Sequence, residues 1–256
     1  MQDGQALSRA LPTGTGPMQA ASSADGVAPA RRTPRIIGAA LLAIALALGL
    51  AAPVAAQRSS ASRGAPAGQF DYYLLALSWS PGFCAAGGAE KGRSQCDLGR
   101  QLGFVVHGLW PQYAGNGYPS ECAPAARFPS RLALEGADGV FPDRGLARHE
   151  WRIHGTCSGK SPTDFFADVR RARDAVTIPA AFKTSPDTQR WTVLDLKRAF
   201  VAANPGLRTD MMDVSCRRGA LQEVLICFSK DLRAFTPCGE RGPPRCRAAF
   251  RVDPMR

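Results

Sequence analysis

Eight cysteines, Cys84, Cys96, Cys122, Cys157, Cys216, Cys227, Cys238 and Cys246, constrain this chain more than any other feature, because all of them lie behind an apolar leader. An even set of cysteines in an exported chain implies disulfides and an oxidising compartment. None stands in a Cys-x-x-Cys pair, which weakens zinc-ribbon and thioredoxin-like readings. Eight cysteines allow about a hundred pairings, so spacing alone does not choose among them.

The leader is Ile36 to Ala56, "IIGAALLAIALALGLAAPVAA", an uncharged run that follows Arg31, Arg32 and Arg35. Its length also suits a retained membrane anchor. The break at Pro53 and the small-residue end Val54-Ala55-Ala56 point instead to a cleaved signal over residues 1–56. The stretch before the apolar run is long, and Met18 is an alternative start. Cleavage predicts a periplasmic or secreted protein with no stable membrane association, read here as a monomer. Residues 57–69 are expected to form a flexible lead-in, and residues 70–256 a single domain with a real core. Residues 1–56 hold four arginines and two aspartates, so the remaining 200 residues keep 28 basic and 19 acidic side chains, a net +9. That balance favours a polyanionic partner.

Tyr72–Trp79, "YYLLALSW", is an apolar run of strand length, and Phe104–Leu109, "FVVHGL", is a second β-rich segment with a histidine inside it. Residues 112–142 are rich in Gly, Pro and Ala and predict loops around short helices. A helix is expected around His149, ending near Gly155. Another begins at Pro162 with Ser161 as its cap, and a third covers Thr192–Ala203 before Asn204-Pro205-Gly206 stops it. Met212–Cys216 and Leu221–Phe228 predict two strands joined by "RRGA". Strands and helices mix without a βαβ rhythm, which predicts an α+β fold with a central antiparallel sheet flanked by helices.

The chain's three histidines fall in two short segments, "FVVHGLWPQ" and "HEWRIHGTC". His149 and His154 are five apart, about 140° around a helix, so they do not form the paired zinc ligands of an i, i+4 motif. Neither a metal nor any other cofactor is expected. Glu150 and His154 are i, i+4, a spacing at which a carboxylate orients an imidazole and raises its pKa, or forms a plain helix-face ion pair. There is no Gly-x-Ser-x-Gly elbow and no phosphate loop. Two histidines on separate elements suit base and acid in an in-line displacement at phosphorus, with a third group holding the phosphate.

"HGLWP" at His107–Pro111 and "HEWRIHGTC" at His149–Cys157 closely resemble the two active-site segments of the ribonuclease T2 family. "DYYLLALSWSPGFC" resembles the strand that opens that fold, and "LQEVLICFSKDL" its C-terminal hairpin. The resemblance runs from about Phe70 to Cys246. It implies a metal-independent endoribonuclease that cleaves single-stranded RNA through a 2′,3′-cyclic phosphate. His154 matches the general base, His107 the acid, and His149 with Glu150 the groups that hold the phosphate. Trp110 matches an aromatic of the base-binding site, with Tyr118 a second platform, although from its residues alone Trp110 reads equally as core. The resemblance further implies the disulfides Cys84–Cys96, Cys122–Cys157, Cys216–Cys246 and Cys227–Cys238.

Two departures from the pattern matter. Ile153 stands where the family often has a lysine, and Arg152 next to it points about 100° away around a helix. Gln112 follows "HGLWP" where some members carry an acidic base-reading residue, which predicts looser base preference. The rival reading is a T2-like RNA-binding protein weakened in catalysis by Ile153. A zinc-dependent phosphodiesterase is the remaining alternative.

Overall fold

Every residue of Tyr72–Trp79 is buried, because this strand, β2, is central to the sheet and covered on both faces. The computed structural model describes residues 61–255 apart from 92, 124–125, 241, 243–244 and 247–248, so the leader expected over 1–56 lies outside the described residues. Antiparallel partners flank β2: Phe104–Gln112 (β3) on one side and Ala220–Ser229 (β7) on the other. Met212–Arg217 (β6) completes a hairpin with β7. Its "RRGA" turn places Arg218 at φ 52° and Gly219 at φ 73°, two consecutive left-handed residues, as a two-residue hairpin turn requires. Gln189–Trp191 (β5) and Phe250–Val252 (β8) extend the sheet beyond one end of β7. Neither of these three-residue strands has a run long enough to be recognised in the sequence.

Alternation along the strands sorts side chains between two faces. Tyr73, Leu75, Leu77 and Trp79 of β2 join Val224, Ile226 and Phe228 of β7 in the main core. Helices cover this face. They are Pro162–Asp174 (α4), which contributes Phe165, Phe166 and Val169, and Val193–Ala203 (α5), which contributes Leu196 and Phe200. Ser161 and Thr192 cap these helices through their side chains, accepting from Asp164 N and Asp195 N. Two short helices, Ser80–Phe83 (α1) and Arg131–Gly136 (α2), precede Arg144–Ile153 (α3), which packs on β3. On the other face, Tyr72, Leu74 and Ala76 meet Leu225, Cys227 and the partly buried Trp110.

The lead-in expected to be flexible over 57–69 is tied down from Ala61 onward, a correction to that reading. Ala61–Arg63 (β1) pairs in parallel with Tyr118–Ser120 (β4), and the Gly68 N–H donates to the Cys157 carbonyl at 2.9 Å. Polar composition predicted a solvated tail, but the exposed edge of β4 offered its backbone groups a partner. Cysteines join as Cys84–Cys96, Cys122–Cys157, Cys216–Cys246 and Cys227–Cys238. Cys122–Cys157 ties the end of the His149 helix to the loop after β4 across a separation of 35 residues. Closing a loop of that length stabilises the fold by about 4 kcal/mol on chain-entropy grounds.

Candidate active site

His107 occupies an irregularity in β3. Ala76 pairs with Gly108 and Leu77 with Val106, so His107 is the extra residue of a β-bulge, a device that re-aims a side chain beside a site. Its Nδ1 lies 2.6 Å from Glu223 Oε1 of β7, and its Nε2 lies 3.7 Å from Glu150 Oε1 of α3. Next along β3, Gly108 leaves the space that Glu150 fills. A Cβ there would collide with Glu150 Oε2 and Trp110 Nε1. The carboxylate itself is 1 % exposed and accepts a hydrogen bond from Trp110 Nε1 at 2.7 Å.

The aromatic rings form a chain. His107 meets Trp110 edge-on at 5.2 Å between centroids, Trp110 lies 5.2 Å from His154, and His154 lies 5.9 Å from Tyr118 of β4. His149 is exposed on α3, with Arg152 Nη2 donating toward its Nδ1 at 3.4 Å. His149 and His107 both line a cleft of about 650 Å³, together with Phe83, Arg93, Glu223 and Arg245. Gln112 stands apart from this group, its side-chain amide donating to the Pro111 carbonyl at 2.9 Å. It shares a strand face with Trp110, two residues away.

Glu150 and His154 do not form the expected helix-face pair. Helix α3 ends at Ile153, and His154 is its C-cap with φ −118°, out of the i, i+4 stack. The two residues meet through the backbone alone, His154 N–H to Glu150 C=O at 2.9 Å, while the carboxylate turns to Trp110 and His107. His154 is accordingly not raised in pKa. Burial, reinforced by the positive charge of His107 and His149, pushes it down to about 3. Its Nδ1 is buried with no partner, and an imidazolium would need both N–H groups satisfied.

His107 is held the other way. Burial works against its charge, but the Glu223 hydrogen bond and the charges of Glu150 and Glu223 outweigh it and raise its pKa above the ordinary 6.5. Burial lifts Glu150 to about 7, against the opposing pull of His107 and Trp110. His149 is lowered by burial and by the neighbouring Arg152, His107 and Arg93.

Three features escaped the sequence reading. Glu223, Arg93 and Arg245 converge on the cleft from β7, from the loop before Cys96 and from the segment before Cys246. For Glu223 a signal was present: Gln222 and Glu223 interrupt an otherwise apolar strand, "ALQEVLICFS". For the two arginines no local signal exists, because basic residues are scattered along the chain.

A sequence model described as Ribonuclease T2 family matches residues 70–238. The chain belongs to the ribonuclease T2 family. Among curated relatives, a ribonuclease of Aeromonas hydrophila is 53% identical over 111 residues, covering 42% of this chain and 48% of its own length. A probable ribonuclease of Haemophilus influenzae is 30% identical, with 62% of this chain and 58% of its own length covered. The chain therefore spans about half the length of these two relatives. Ribonuclease I of Escherichia coli is 27% identical, covering 84% of this chain and 96% of its own length. The fold is that of ribonuclease MC1 from bitter gourd seeds, with a TM-score of 0.55 at 22% identity, covering 71% of this chain and 99% of that one.

Proposed function

We propose that this T2-family chain is an extracytoplasmic endoribonuclease, periplasmic or secreted, that cleaves single-stranded RNA with low base specificity through a 2′,3′-cyclic phosphate. The observation that carries this reading is the pair His107 and His154. They come from separate elements, each has its ring 5.2 Å from that of Trp110, and their environments drive their protonation in opposite directions. Titratable neighbours pushed apart in this way mark acid and base assignments. His154, neutral at working pH, takes the proton of the ribose 2′-OH. The 2′-oxygen then attacks phosphorus, the bond from phosphorus to the 5′-oxygen breaks, and protonated His107 delivers its proton to that leaving oxygen. His149, Arg152 and the cleft arginines Arg93 and Arg245 supply positive or donor groups for the phosphate. Trp110 and Tyr118 offer faces on which any base stacks, and Gln112 offers both donor and acceptor, which supports loose base preference. Four disulfides suit an oxidising compartment.

Incubation with single-stranded RNA should yield ends bearing 2′,3′-cyclic phosphate, and DNA, which lacks the 2′-OH, should be spared. Full activity is expected in excess chelator; activity lost there and restored by zinc would overturn the mechanism. Binding of RNA without any cyclic-phosphate product would place the chain among non-catalytic relatives. The pH profile of kcat/KM should be a bell. It rises as His154 loses its proton, with a pKa near 3, and falls as His107 loses its own above 6.5.

Ile153 leaves the site one lysine short of the usual pattern. Ile153→Lys is expected to raise kcat with little change in KM, a transition-state contact being worth roughly 2–4 kcal/mol. Unchanged kcat would show that the arginines already supply that charge.

A further inference from the structure

The register of the sheet sets Val105, Ser78, Glu223 and Ser215 in one row across β3, β2, β7 and β6. Paired residues of antiparallel strands share a face, so the four side chains leave the sheet on the same side. One step along, Gly108, Ala76 and Leu225 form the next row. Between β3 and β7 the central strand therefore presents only Ala76 and Ser78, both small and both buried. This leaves a shallow channel. The bulge at His107 swings its imidazole over that channel, and Glu223 reaches it from the far side at 2.6 Å. Ser215 Oγ donates to the other carboxylate oxygen, Oε2, at 3.2 Å.

We propose that Glu223 is the positioning residue of His107, and that Ser215, Glu223 and His107 form a relay across the sheet that aims the acid at the leaving oxygen. The proposal rests on the reading of His107 as that acid. An ionised carboxylate only accepts hydrogen bonds, so the Nδ1 of His107 is the donor to Glu223. That fixes the tautomer and leaves Nε2, on the Glu150 side, to carry the proton that is transferred. Glu223 can remain ionised there. Its burial is outweighed by the hydrogen bond and charge of His107, by Ser215 and by Arg245, which together hold its pKa below the usual carboxylate value. Glu150 alone does not fix the ring, being 3.7 Å from Nε2 and already bonded to Trp110. A buried strand carboxylate with no catalytic partner would be costly, and a half-exposed imidazole with no orienting partner would rotate.

The groups that bear on His107 are Glu223 and, behind it, Arg245; Glu150 and His149 from α3; and His154 from the turn after it. Glu223→Gln removes one of these charges while keeping the shape of the side chain. The test follows the His107 imidazole by NMR titration and kcat/KM across pH, in wild type, Glu223→Gln and Glu223→Asp, with thermal melts as a control on folding. In Glu223→Gln the His107 titration and the alkaline limb of kcat/KM should both move to lower pH. On that limb the rate falls tenfold for roughly each unit moved, because it follows the protonated fraction. KM should change by less than about twofold, since no bond to substrate is lost. Glu223→Asp, with its charge kept but its reach shortened, should recover part of the shift. Ser215→Ala should move the same observables in the same direction by less. An unmoved His107 titration in Glu223→Gln overturns the proposal. A titration that moves while the alkaline limb stays put overturns instead the acid assignment of His107, so the two failures are told apart. Should Glu223→Gln fail to fold, Ser215→Ala read by the same titration decides the matter, and no shift there counts against the relay.

Discussion

Replacing His154 with alanine, or His107 with alanine, is expected to lower kcat/KM on single-stranded RNA by roughly 10²- to 10⁴-fold. The two losses should differ in form. Without His154 nothing takes the 2′-OH proton, so the rate should rise with hydroxide concentration and lose its acidic limb. Without His107 the leaving 5′-oxygen departs as an alkoxide, and a substrate with a better leaving group should recover most of the rate. The double variant should be little worse than the poorer single one, because residues that act in one step are not additive. His154→Ala removes an imidazole whose Nδ1 has no hydrogen-bond partner and should cost little stability, whereas His107→Ala leaves Glu223 without its partner and should melt somewhat lower. Melting temperatures would separate lost chemistry from lost fold. Near-wild-type rates in both single variants would show that the acid and base lie elsewhere.

The second large effect is expected from a methyl group. Gly108→Ala would place a Cβ where Glu150 Oε2 and Trp110 Nε1 now meet. Glu150 has little room to yield, because it is 1 % exposed and the Trp110 hydrogen bond holds its carboxylate. Accommodation requires that bond to break or β3 to shift next to the His107 bulge. A misplacement of about 1 Å at a reacting group costs on the order of 10²-fold, and overpacking costs about 1–3 kcal/mol of stability. Gly108→Ala should therefore lose activity and melt several degrees lower. Glu150→Gln is the control, since it keeps the shape and removes the charge. If Gly108→Ala kept both its rate and its melting temperature, the Glu150–Trp110 contact would have no part in the site.

Local patterns in the sequence carried far. The strand at Tyr72–Trp79 was legible because a run buried on both faces needs only continuous apolarity. The cap Ser161 announced its helix because the donor it satisfies lies within three residues. The histidine segments stood out because three histidines in so long a chain were gathered into two places. The expected Glu150–His154 pair failed for an equally local reason, which the sequence does not display. The helix ends one residue before His154, and the spacing rule holds only inside a regular helix. Short strands such as Gln189–Trp191 and Ala61–Arg63 were invisible because their partners, not their own residues, make them strands.

By itself the sequence determined the chemical inventory of this T2-family chain: which histidines, which carboxylate beside them, which aromatics, and an even set of cysteines. Such information resides in residue types and near-neighbour spacing, and it survives without coordinates. Tertiary structure alone decided who serves whom. Glu150 belongs to Trp110 and His107 rather than to His154, and Glu223 reaches His107 from 116 residues away. Those partnerships depend on one extra residue in β3 and on small side chains in β2 between two other strands. Strand register and a bulge set them, and both emerge only when the whole sheet is assembled.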